Sequence, residues 1–119
     1  MSIIINSLTF KPGTFAKNST KNAVVSFTGF VDGDADNPVG LVLSIVDPDS
    51  PLNFIDGQKN KTKSIPLSKK FKIGSNGNYT KTVTVSVDNV QGSDSCEIDI
   101  TGTTAGGDVS TQPVLVDFQ

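Results

Sequence analysis

Three aspartates at alternate positions, Asp32, Asp34 and Asp36, are the residues of this sequence best spaced to hold an ion. Carboxylate oxygens at alternate positions of a turn can wrap a hard cation such as Ca²⁺. The EF-hand pattern fails, because Asn37 stands where its sixth position needs glycine and Leu43 where its twelfth needs a bidentate glutamate. The alternative is a site at one end of a sandwich, as in calcium-binding adhesion domains, with Asp47, Asp49 and Asp56 joining the first three. Solvated acidic turns account for the same residues without an ion, since Gly and Asp suit turn backbones for local reasons. Apart from calcium, no cofactor is expected.

A second group is cationic. Lys59, Lys61 and Lys63 alternate, Lys69, Lys70 and Lys72 follow, and no acidic residue lies between Gly57 and Val87. Residues 22 to 58 show the reverse, with six aspartates and no lysine. An extended segment would present Lys59, Lys61 and Lys63 on one side, ready to meet an acidic partner or a phosphate. Charge that guards a sheet edge against unwanted pairing explains them equally well.

Covalent and acid–base chemistry finds little to work with. The sequence has no histidine, no arginine and no tryptophan, and all ten basic residues are lysines. A nucleophilic serine would lack its usual base, and neither a Gly-x-Ser-x-Gly elbow nor a Ser-x-x-Lys spacing occurs. Glycoside chemistry would need a carboxylate pair, and Glu97 and Asp99 fall on the outward side of a strand, where salt bridging is the simpler role. Cys96 is the only cysteine, which removes any intrachain disulfide and the cysteine-type zinc sites. It alternates in phase with Ile98 and Ile100 and so reads as a small core residue. With one tyrosine, and seven phenylalanines that a core requires, aromatic platforms for sugars are scarce. The expectation is a protein that is not an enzyme.

The charge balance narrows the partners. A net charge of −2 and a pI near 4.8 make nucleic acid and anionic membrane poor partners for the molecule as a whole. No apolar run approaches the roughly 20 residues of a membrane-spanning helix. The opening Met1–Asn6 has no positive charge ahead of its three isoleucines, so the sequence is expected to be made in a cytoplasm without a signal peptide.

The elements that must position these residues are strands. From Tyr79 to Val87, Val83, Val85 and Val87 alternate with Thr80, Thr82, Thr84 and Ser86, which fits a strand with one face in a core and one in water. Further strands are predicted over Ile3–Phe10, Ala23–Val31, Gly40–Val46, Leu52–Ile55, Phe71–Ile73, Ser95–Thr101 and Val109–Phe118. Gly29 marks a bulge or a close backbone approach, Asp56-Gly57 a turn, Pro66 an edge strand, and Pro113 a break in the final strand or an edge position. With no helical periodicity anywhere, the second layer that a one-sided strand needs must be another sheet. The predicted fold is all-β, an immunoglobulin-like or fibronectin-type antiparallel β-sandwich of seven to eight strands. Residues 1–22 form an N-terminal strand or arm and residues 23–119 the sandwich. On the arm, Ile3, Ile4, Ile5, Phe10 and Phe15 are candidates to dock on a partner, since an apolar terminal strand readily adds to another sheet.

Cys96–Gly102 and Gln112–Phe118 resemble the closing hairpin of immunoglobulin-like domains from phage and bacterial surface proteins. That resemblance implies an architecture and no functional residue. A lone sandwich beginning with Met1 and carrying no export signal is expected to bind or build, as an accessory virion protein of a tailed phage that decorates or cements the capsid or serves its tail, neck or fibre. Such a protein would be synthesised in the host cytoplasm and displayed on the virion, with a capsid protein, another virion protein or its own copies as partner. The competing readings are an adhesion module of a bacterial surface protein, with or without calcium, and a carbohydrate-binding module.

Overall fold

The computed structural model describes residues 2–32, 39–68, 76–89, 92, 94–104, 107 and 109–119, and for 2, 3, 30–32, 39, 68, 76–79 and 104 the backbone alone. Alternation governs it. Val83, Val85 and Val87 are buried while Thr80 and Thr82 stand in water, as period-two alternation on a half-covered sheet demands. Ser86, expected among the exposed hydroxyls, is buried between Thr20 and Asn53 of the adjoining strands.

The described residues form ten strands: β1 (Ser2–Lys11), β2 (Thr14–Phe15), β3 (Ser19–Asp32), β4 (Val39–Ile45), β5 (Leu52–Ile55), β6 (Lys61–Thr62), β7 (Ser64–Ser68), β8 (Asn76–Val87), β9 (Asp94–Thr104) and β10 (Val109–Phe118). There is no helix among them, and so none able to cross a membrane. Two five-stranded sheets result, ordered β1-β3-β8-β5-β6 and β2-β10-β9-β4-β7. The count exceeds the expected seven to eight because β2 and β6, two residues each, are too short to carry a period. The strand expected at Phe71–Ile73 lies outside the described residues. Pairing is antiparallel except between β2 and β10, which run parallel over Thr14–Phe15 and Asp117–Phe118.

Between the sheets lies one apolar cluster that includes Val25, Leu43, Phe54, Val85, Ile98, Ile100 and Val116, all essentially inaccessible. Burying each such side chain contributes roughly 1.5–3 kcal/mol. Pro66 sits on β7, the last strand of its sheet, where its missing N–H leaves no ladder bond unmade.

Residues 1–22 supply β1, β2 and the start of β3, the strand alternative for this stretch. β1 pairs with β3 along its whole length, from Ser2 opposite Asp32 to Lys11 opposite Val24. The register shifts between Ile5 and Ser7, opposite Gly29 and Thr28. This bulge changes the phase of alternation, so Ile5, Leu8 and Phe10 all point into the core although strict alternation would separate Ile5 from the other two. Gly29 permits it, since a Cβ there would stand 3.0 Å from the Ile4 carbonyl oxygen.

After Lys11-Pro12-Gly13 the chain crosses to the other sheet. Asp117 N–H donates to Gly13 O at 2.9 Å and Gln119 N–H to Phe15 O at 3.0 Å. Phe15 is thereby buried to 2% exposure beside the closing strand. Ile5, Phe10 and Phe15 are therefore core residues and are unavailable to a partner. Ile4 is half exposed, and Ile3 is described only by its backbone pairing with Val31.

These placements separate a structural from a docking role. Phe15→Ala should lower unfolding free energy by about 3–5 kcal/mol, comparable with Phe54→Ala, as read by urea denaturation. A loss under about 0.5 kcal/mol would return Phe15 to the surface.

Candidate functional site

Lys59, Lys61 and Lys63 do not form a stripe, and Lys69, Lys70 and Lys72 lie outside the described residues. The chain turns at Asp56–Asn60, where the Asp56 carboxylate accepts from the N–H groups of Gln58 and Asn60, both at 2.9 Å. Lys59 occupies the left-handed region of that turn, with φ at 65°. Lys61 then pairs with Asp88 at 2.6 Å across the sheet. At Lys63 the chain leaves one sheet for the other, between β6 and β7. Alternate spacing puts side chains together only on one continuous strand, and this segment is a turn, a two-residue strand and a crossover.

Lys63 closes the end of the sandwich from within. Its backbone carbonyl accepts from Ile45 N–H at 2.7 Å, and its ammonium donates to the carbonyls of Ser50 at 2.5 Å and Leu52 at 2.6 Å. Burial pulls the Lys63 ammonium below the ordinary lysine range, while the negative charges of Asp88, Asp47 and Asp49 oppose the fall. The hydrogen bond from Lys61 holds the Asp88 carboxyl below the usual aspartate range, with burial opposing and the Asn53 amide assisting. Cys96, near the same corner, is buried. Burial pushes its thiol up against a hydrogen bond to Ser50, which is the environment of an unreactive core cysteine.

Asp47, Asp49 and Asp56 lie apart from Asp32. β3 runs from Ser19, opposite Val87, to Asp32, opposite Ser2. Fourteen residues of strand span about 43 Å at ~3.3 Å per step. Val87 also pairs with Leu52, so Asp47, Asp49 and Asp56 belong to the end of the molecule remote from Asp32. The expectation that they share one end with it is thus corrected. Asp47 serves its own turn, accepting from Asp49 N–H at 2.9 Å, as Asp56 does. Asp34, Asp36 and the Asp32 side chain lie outside the described residues. Among those that are described, no three acidic or sulfur side chains stand close enough to hold a metal.

What the structure brings together is the outward side of the β2-β10-β9-β4-β7 sheet. Register places Leu115 beside Glu97 and Pro113 beside Asp99, with Asp99 next to Ser44 on β4. Val46, just past β4, donates its N–H to Glu97 O at 3.1 Å. Leu115, Val109 and Val46 are among the exposed large apolar side chains. Glu97, Pro113, Val114 and Leu115 line a shallow depression of about 290 Å³. Alternation in the sequence puts Glu97 and Asp99 outward. Alternation with Val114, Val116 and Phe118 puts Leu115 outward in the same way, but not beside Glu97, which only the strand register shows.

No protein-family model matches this sequence, and no curated protein matches it. Among solved structures it is similar to Spo0M, a sporulation control protein from Bacillus subtilis, with a TM-score of 0.59, 8% identity and coverage of the whole chain against 50% of that protein. It is also similar to AvmM, described as catalysing macrocyclization in alchivemycin A biosynthesis, with a TM-score of 0.56, 10% identity and coverage of 98% and 88%. A conjugative transposon lipoprotein from Bacteroides eggerthii gives a TM-score of 0.51, 7% identity and coverage of 98% and 96%. The chain spans 30% of another similar protein, an alkylpurine DNA glycosylase from Pseudomonas fluorescens, at 8% identity. At such identities the likeness shows a shared two-sheet fold alone.

The lysine geometry sorts the three residues. Lys63→Ala leaves two carbonyls without their donor and should cost about 1–3 kcal/mol, whereas Lys59→Ala should stay within about 0.5 kcal/mol, both by urea denaturation. Asp88, with its depressed folded pKa, contributes stability that is present above the ordinary aspartate range and lost as pH falls through its folded value. Being largely exposed, the pair is worth under about 1 kcal/mol, so Asp88→Asn should flatten the acid limb of the stability profile only slightly.

Proposed function

We propose that this protein is a non-enzymatic structural protein of a phage virion, an accessory that decorates or cements the capsid, and that its sandwich is of the immunoglobulin-like kind. The strand order supports the second part: the first stretch is divided between the sheets, as β1 and β2, and the last two long strands pair side by side. One observation carries the docking role. Val46, Val109 and Leu115 stand in water on the outside of one sheet, where the core does not require them.

The docking surface is accordingly a sheet side and its edge rather than an arm. A free buried cysteine and no disulfide suit folding in the reducing cytoplasm of a host, followed by display on the particle. Added to capsid shells of the encoding phage that lack it, the protein should co-sediment with them and come away under mild denaturant. Protein that stays in the supernatant at every shell concentration would overturn the virion reading.

A further inference from the structure

Charges on the exposed side of the β10–β9–β4 layer indicate the chemistry of what covers it. Across the strands, Val46, Glu97 and Leu115 are neighbours, and one step along lie Ser44, Asp99 and Pro113. A further step reaches Val42, Thr101 and Thr111, the two threonine hydroxyls 3.2 Å apart, with Pro66 of β7 beside Val42. Leu115 is 68% exposed and Val46 51%.

Glu97 and Asp99 stand two residues apart on one side of β9. A hydrogen bond from one carboxyl to the other, and the charge of Asp99, raise the Glu97 carboxyl above its ordinary range. Asp99 Oδ1 is shielded from water and has no hydrogen-bond partner. Among the described residues no lysine stands on this side of the sheet, and the ion pair found is Lys61 with Asp88 at the corner. Once both are ionised, two adjacent carboxylates without a cation repel each other, and beside them Leu115, Pro113 and Val46 face water. A single kind of partner relieves both.

We propose that this sheet side binds a partner protein through a segment that sets a lysine or arginine between Glu97 and Asp99 and an apolar side chain against Leu115 and Pro113. The inference rests on the docking role above and names the chemistry of the docked surface. Charge complementarity selects the occupant. A second copy laid on the same side would oppose Glu97 and Asp99 to their own counterparts, which like-charge repulsion disfavours.

Binding should weaken as pH falls, beginning above the usual glutamate range, because Glu97 takes up its proton early. Among the described residues the other titratable side chain on this side is Asp117 on β10. From β4 and β7 come Val42, Ser44, Ser64 and Pro66, none of which titrates.

Co-sedimentation with capsid shells compares wild type with Glu97→Gln/Asp99→Asn and with Leu115→Asp. Each variant should bind roughly tenfold more weakly or worse, while the carboxylate variant melts at or above the wild-type temperature, its repulsion gone. Variants that bind shells as well as wild type overturn this surface and leave the virion reading standing. A carboxylate variant that melts well below wild type makes the pair structural and overturns it too.

Should wild type ignore the shells, the virion reading fails, and a short synthetic peptide of alternating valine and lysine decides the surface. Amide shifts on β9 and β10 that Glu97→Gln/Asp99→Asn abolishes uphold it. Absent shifts, or equal shifts with a valine–glutamate peptide, overturn it, as does a solution dimer that the same variants dissociate.

Discussion

Neither sheet of this molecule can bury its apolar side against anything except the other. With no helix among the described residues and no disulfide to close the chain, the free energy of folding comes from one interlayer cluster, and each strand must keep its apolar residues in phase with it. A one-residue slip would turn a whole stripe outward. The irregular features follow from that requirement. The bulge at Ile5 and Ser7 exists because Ile5, Leu8 and Phe10 cannot all face inward on a regular strand. The crossing after Lys11 carries Phe15 to the sheet that has room for it, and Lys63 sits where the chain must change layers again. An ammonium reaching two carbonyls there offsets backbone groups that the break in pairing leaves without a ladder partner.

This explains why some of the fold was legible in the sequence and some was not. Alternation reports which side of a strand is covered, so Val83, Val85 and Val87, or Ile98 and Ile100, announce themselves. It does not report which sheet a strand joins. Phe15 stands alone in a polar stretch and has no period, so its burial was invisible until β2 was seen to run parallel beside Phe118. The lysines differ: Lys59, Lys61 and Lys63 are regularly spaced, but the chain beneath them is not one continuous strand. Lys59 lies in a left-handed turn built by the Asp56 carboxylate, and sequence spacing has no meaning across such a turn. Asp32 stands apart from Asp47, Asp49 and Asp56 for a related reason, since proximity in composition says nothing about the two ends of a fourteen-residue strand.

The candidate surface was half legible. Glu97 and Asp99 could be placed outward from the phase of Cys96, Ile98 and Ile100, and a lysine partner was expected for them. None stands on that side among the described residues, because the described lysines went to turns, corners and the other sheet. What could not be read was the company the acids keep. Leu115 and Val46 become their neighbours through register alone, and register is a property of paired strands rather than of either one.

A core of this kind constrains function very little. Its inward residues answer to packing, and proteins of unrelated roles share the same two layers. The information about a partner therefore has to lie where packing makes no demand, on outward positions whose residue types the fold leaves free. A threonine there needs no explanation, because hydroxyl pairs such as Thr101 with Thr111 satisfy themselves within the sheet. A leucine in water beside two carboxylates that repel each other does need one, since a lysine in place of either acid, or a threonine in place of Leu115, would suit the isolated sheet better. On the docking proposal, the outward side of β9 and β10 is where a second surface would supply what the isolated sheet lacks: a cation between Glu97 and Asp99 and cover for Leu115.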